Sequence, residues 1–202
     1  EKDFEIKVAI METLKEFKDY SSIPYALACF RTGNDTLSME AESFLDTVSD
    51  MQSIDYFESA IKSANLQERN YALKVVKRFP TAKSLKIALI AAEDKDIFIR
   101  RDATQVLGQI GDRSAIPVLL KRLGDGEEEI RVEAVKALGQ MGDPGIIKYM
   151  DKSIFDKSPA VRLEVVKLYI QFGDRENVKL LNKAIGRESD EDVKEQISIE
   201  RI

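Results

Sequence analysis

The sequence predicts an all-α chain built as a solenoid of about six 31-residue helical hairpins followed by a terminal helix. Three observations carry this prediction. One segment recurs in register: "IRRDATQVLGQIGD" from Ile99, "IRVEAVKALGQMGD" from Ile130 and "VRLEVVKLYIQFGD" from Val161. Within it, apolar residues keep a 3.6-residue period, as at Ile130, Ala134, Val135, Ala137, Leu138 and Met141. Glycine and proline number only 10 and 5 in 202 residues, which leaves helix interiors unbroken. A single hairpin of this length cannot bury its apolar face, so the units must stack into one continuous core.

The elements follow in order from that period. Going backward from Ile99 in steps of 31 gives "ERNYALKVVKRFPT" at Glu68, "LSMEAESFLDTVSD" at Leu37 and "IKVAIMETLKEFKD" at Ile6. Going forward, "VKEQISIERI" from Val193 fits with one extra residue and covers half a unit. Units therefore start near 6, 37, 68, 99, 130 and 161, with a half unit from 193, and are expected to form one array over residues 1–202. Each first helix ends at a glycine or its equivalent, and Asp112, Asp143 and Asp174 follow as N-caps of the second helix. Pro144 suits the first helical position. In the second helix, Ile116, Leu119, Leu120 and Leu123 share one face. "GDGEEE" at 124–129 closes a hairpin and opens the next, its acids favoured at a helix N-terminus, and Ser158 with Pro159 does the same one unit later. A phosphate loop follows a strand and carries several glycines and a lysine; here a helix precedes Gly-Asp, so the pair is punctuation.

Composition removes several function classes. The chain has no histidine, which excludes Ser-His-Asp and Cys-His catalysis and ordinary His/Cys zinc sites. All-carboxylate metal sites remain, but no suitable loop is present, and no cofactor is expected. The lone Cys29 sits in the apolar run "YALACF" and reads as a buried small hydrophobe. No run of about 18 apolar residues exists to span a membrane. The opening "EKDFEIKVAIMETLK" is neither a signal nor a transit peptide and lacks an initiator Met, so a fragment of a longer or processed protein is expected. One unpaired cysteine is compatible with a cytoplasmic location. Net charge is −5, unevenly spread: residues 1–66 carry 13 acidic and 6 basic side chains, and residues 67–202 carry 23 and 25. The acidic first third argues against nucleic acid along the whole length.

The pattern "VR-x-x-A-x-x-A-L-G-x-x-GD-x-x-A-I-P-x-L-x-x-x-L", clearest over 99–185, resembles HEAT repeats of the short bacterial and archaeal kind also found in phycobilin lyases. The resemblance covers nearly the whole chain and is degenerate in the first three units, where Ser38 replaces the arginine and Thr81 the aspartate. It implies a right-handed HEAT/armadillo-like superhelix. It also implies a ladder of ion pairs between adjacent units, built from an arginine column (Arg69, Arg100, Arg131, Arg162) and an aspartate column (Asp50, Asp112, Asp143, Asp174). Pairs such as Asp112 with Arg131 and Asp143 with Arg162, 19 residues apart, are the expected rungs.

A partner is expected on columns that vary from unit to unit. Opposite the core face of the second helix lie 114, 117, 118 and 121 at 100° per residue. Column 118 reads Tyr25, Tyr56, Ile87, Val118, Tyr149 and Leu180. Column 117 supplies Lys86, Lys148 and Lys179, and column 121 supplies Lys121, Lys152 and Lys183. The resemblance places these helices on a concave surface, giving a groove with an apolar floor and a basic flank in its C-terminal half. Such a groove suits another protein, and its lysines suit an acidic segment.

The function read from the sequence is therefore a non-enzymatic protein–protein interaction scaffold. The alternative is a phycobilin-lyase-like enzyme subunit that binds a tetrapyrrole. A HEAT-like DNA glycosylase is disfavoured by the absent tryptophan, the isoelectric point near 5.1 and the acidic first third. The His-Glu ligand pairs of HEAT-type metal hydroxylases have no counterpart.

Overall fold

The computed structural model describes residues 2–172, 175–191 and 193–195. Ten α-helices are assigned among them: α1 Lys2–Phe17, α2 Ile23–Cys29, α3 Asp35–Val48, α4 Leu66–Arg78, α5 Leu85–Ala91, α6 Ile97–Ile110, α7 Ile116–Arg122, α8 Glu128–Gln140, α9 Pro159–Phe172 and α10 Arg175–Ile185. No strand occurs among the described residues. From α3 onward, the first helix of each hairpin begins at 35, 66, 97, 128 and 159, reproducing the 31-residue period. The fold is an all-α solenoid.

The chain divides into two compact units, residues 1–103 and 104–202, with α6 crossing the boundary. In the first, α3 packs on α1 and α2, and its core holds Phe44, Phe57, Ile23, Leu45 and Ile54. In the second, α8 packs on α7 and α9 around Leu119, Ile130, Leu138, Val165 and Ile154.

The second halves of the first five hairpins are shorter than the sequence predicts. In the second hairpin the chain makes only 3-10 turns, Ser53–Phe57 and Ala60–Lys62; in the fifth, Pro144–Tyr149 and Ser153–Phe155. In the first, third and fourth hairpins a 3-10 turn leads into a seven-residue α-helix, and in the sixth α10 runs for 11 residues. Their buried face also differs from the expected 116, 119, 120 and 123. Ala115, Leu119 and Arg122 are buried, whereas Leu120 is half-buried and its counterparts Glu58 and Asp151 are polar. Column 122 is mostly small and buried, with Cys29, Ala60, Ala91, Ser153 and Ala184.

The punctuation has the geometry that glycine permits. Gly111 and Gly142 follow α6 and α8 with φ of +68° and +65°, the left-handed conformation that ends many helices. Asp112 and Asp143 then cap, each accepting the backbone N–H two residues on, from Ser114 at 2.8 Å and Gly145 at 2.9 Å. The third pair, Gly173–Asp174, lies outside the described residues. Ser158 caps α9 through the Val161 N–H, with Pro159 at the first position.

The arginine ladder exists, but its acidic partners are not those expected. Arg131 forks Nε and Nη2 onto the Asp156 carboxylate, both at 2.9 Å, and Nη1 donates to the carbonyls of Asp125 and Gly126. Arg69 repeats this with Asp94 and the carbonyls of Ser63 and Ala64. Arg162 repeats it with Glu188 and the carbonyls of Asp156 and Lys157. Each arginine thus reads its own inter-hairpin loop at i−6 and i−5 and the next loop at i+25 or i+26. Asp50, Asp112 and Asp143 serve instead as turn caps; Asp50 also accepts the Tyr20 hydroxyl, and Asp143 meets Arg113 at 3.3 Å.

Burial by itself would raise the Asp156 pKa, but the Arg131 fork and the Ser158 N–H outweigh it and hold the carboxyl below its ordinary range. Arg162 does the same for Glu188. Where Ser38 interrupts the arginine column, a different rung forms: Arg31 forks onto Glu68, whose side chain is buried at a position occupied by Ile or Val in later units.

Candidate partner-binding surfaces

Three of the four columns expected to face outward do so. Ser114, Pro117 and Lys121 are exposed, as are their counterparts in the other hairpins apart from half-buried Ile90 and positions outside the described side chains. Column 118 divides. Tyr25, Tyr56 and Tyr149 are 39%, 38% and 46% exposed, whereas Ile87 is fully buried and Val118 and Leu180 are half-buried. A tyrosine keeps its hydroxyl in water while its ring packs; an aliphatic residue gains by going inside. The expected continuous apolar line is therefore corrected to separate tyrosines.

In residues 1–103, the surface is aromatic and acid-balanced. Tyr56 stacks obliquely on Tyr20, with ring centroids 6.3 Å apart. Lys86, the one predicted lysine here, donates to Glu58 at 2.6 Å, so its charge is already met.

In residues 104–202, all five predicted lysines, Lys121, Lys148, Lys152, Lys179 and Lys183, are exposed. The Lys148 ammonium lies 4.9 Å from the centre of the Tyr149 ring, a cation–π contact. Tyr149 and Lys152 line a cavity of 360 Å³ with Leu120, Leu123, Gly124, Ser153 and Asp156. The structure thus brings Tyr149, Lys148 and Lys152 together around an apolar hollow. The sequence reading missed the hollow, although column 120, apolar in Leu120 and polar in the next unit's Asp151, carried a trace of it.

Among the described residues, no group of three or more Cys, Asp or Glu side chains could hold a metal ion, and no helix is long and apolar enough to cross a membrane.

Repeated helical hairpins joined by an arginine ladder define an α-helical repeat protein. HEAT repeats match residues 54–131 and 116–199, more than half of the chain. The chain belongs to the HEAT-repeat family. No curated protein sequence matches it. Among solved structures, it is similar to the complex of CpcE and CpcF of phycocyanin lyase from Nostoc sp. PCC7120, at 21% identity and a TM-score of 0.58, covering 74% of this chain and 99% of that one. It is also similar to a designed armadillo repeat protein in complex with the peptide (KR)4, at 15% identity and a TM-score of 0.55, covering 88% and 97%.

Proposed function

We propose that the chain is a non-enzymatic docking module for another protein, and that residues 104–202 receive an acidic segment of it. The observation that carries this reading is the pair of exposed lysines, Lys148 and Lys152, beside Tyr149 and its apolar hollow. Apolar area flanked by like charges suits a protein partner more than a small metabolite. The lysines would speed capture of an acidic segment and make it salt-dependent. Support also comes from the two similar structures, one a complex of two proteins and one a complex with a peptide. The (KR)4 peptide of the designed protein is basic; the lysines here call for the opposite sign.

Affinity capture from source-cell lysate tests the reading, comparing wild type with a Lys121→Glu, Lys152→Glu, Lys183→Glu variant. A protein held by the first and lost by the second, at unchanged circular dichroism, is the expected result. A partner held equally by both would remove the lysines from the site. No specific partner at all would overturn the docking role.

The second reading is a tetrapyrrole-binding lyase subunit, supported by the likeness to the CpcE–CpcF complex. A bilin absorbance titration without spectral change would exclude it.

A further inference from the structure

We infer that the cavity beside Tyr149 is an anchor pocket, taking one large apolar side chain, such as phenylalanine, from within an acidic peptide segment. This rests on the acidic-segment reading above and adds a specific contact to it.

The lining supports one kind of occupant. Leu120 and Leu123, both half-buried, and the exposed Tyr149 ring give the hollow apolar walls. Gly124 contributes no side chain, so nothing from that position fills it. A volume of 360 Å³ lies at the small end of ligand sites and suits one side chain rather than a whole cofactor. Asp156 also lines the hollow, yet both of its oxygens are committed to Arg131, and one also accepts the Ser158 N–H at 2.8 Å. It therefore presents a neutralised pair and not a lone negative charge. Two lysines stand beside these walls: Lys152 belongs to the lining, and Lys148 covers one face of Tyr149. An acid-only segment would satisfy the lysines and leave the apolar walls wet. An uncharged apolar segment would leave the lysines unused. The combination of both uses every feature.

Gly124 provides a specific probe. A Cβ built there meets only the Lys121 carbonyl oxygen, at 3.6 Å, an ordinary contact, and its backbone has no positive φ. Gly124→Leu would fill the pocket while leaving every lysine in place.

The test is fluorescence anisotropy with two fluorescein-labelled heptapeptides, one with a central Phe between three acidic residues on each side, the other with Ser in its place. Wild type should bind the Phe peptide about ten- to a hundredfold tighter, as expected for burying one aromatic ring. Gly124→Leu should abolish that advantage and leave the Ser-peptide affinity unchanged. Tyr149→Ala, at an exposed position, should also abolish it and serves should Gly124→Leu lose its helical circular dichroism. Equal affinity of wild type for both peptides, or an advantage that survives in the variants, overturns the anchor pocket and leaves the acidic-segment reading standing. Failure of both peptides to bind at low salt overturns the acidic-segment reading and the anchor with it.

Discussion

Arg131 and Asp156 face each other through two parallel hydrogen bonds of 2.9 Å, 25 residues apart in sequence and both largely withdrawn from solvent. The same arginine ties down two carbonyls of the loop before its own helix. One side chain therefore joins two successive inter-hairpin loops, which explains why arginine recurs at this column: lysine has no planar fork to reach four acceptor oxygens in fixed directions. Arg131→Ala would leave a buried carboxylate and two carbonyls short of donors and is expected to destabilise the fold by about 3 kcal/mol. Asp143→Ala, by contrast, removes a turn cap and a contact with the exposed Arg113, and is expected to cost about 1 kcal/mol. Urea titrations of both variants check this. Equal losses would favour the 19-residue pairing of Asp112 with Arg131 and Asp143 with Arg162.

The same rungs set the response to acid. Asp156 and Glu188 have folded-state pKa values below those of the unfolded chain. The folded state therefore binds these protons less readily, and the stability they supply is complete above the unfolded value, near 4 for these carboxyls. It is lost as pH falls through the lower folded values. The urea midpoint should stay level for these groups from pH 8 to about 5 and decline below about 4. In Arg162→Met, whose Glu188 loses its first cause of depression, that decline should be shallower.

Much of the fold was legible because its determinants are local. Helical period, capping aspartates and left-handed glycines each act within a few residues, and repetition at 31 confirms each reading several times over. The ladder's acids were not legible because their column changes chemistry: Thr32, Ser63, Asp94, Asp125 and Asp156 occupy one register. What persists is the turn, in which each side-chain oxygen accepts the N–H two residues on. Only the aspartates can also hold an arginine. At the candidate surface, exposure of the lysines followed from helical geometry alone. The hollow beside Tyr149 did not, because its lining joins Leu120, Leu123 and Gly124 of one hairpin to Tyr149, Lys152, Ser153 and Asp156 of the next, a juxtaposition that no single helix face shows.

Lys18 offers a stabilising substitution. It directly follows α1 with φ of +48°, the one non-glycine residue with positive φ among the described residues. It stands 93 residues, three periods, before Gly111, so it occupies the register of the helix-ending glycines. A side chain there costs about 1 kcal/mol through crowding of its Cβ. Lys18→Gly should recover about half of that, since glycine's extra unfolded-state entropy offsets the rest. A rise of about 1–2 °C in Tm is expected for a chain of this length. Thermal melts by circular dichroism decide it, and an unchanged or lower Tm would mean that the nearby Asp50 draws more from the Lys18 charge than the backbone loses.

Gly108 should show the opposite sign, against helix propensity. It lies inside α6, where alanine is ordinarily better by about 1 kcal/mol. A Cβ at this position would sit 2.6 Å from the Ala137 Cα and 2.7 Å from its Cβ, on α8. Ala137 is backbone in a packed helix and cannot swing aside as a long side chain could. To admit the methyl, α6 and α8 must separate, and the contacts around buried Leu107 and Leu138 loosen with them. Overpacking of this kind costs about 1–3 kcal/mol, enough to exceed the propensity gain. Gly108→Ala is therefore expected to lower the urea midpoint. The comparison that isolates the cause is Gly126→Ala, where a Cβ meets nothing within 4 Å and φ is not positive. That variant should be neutral or slightly stabilising. Destabilisation of equal size in both would show that close helix packing is not what keeps glycine at position 108.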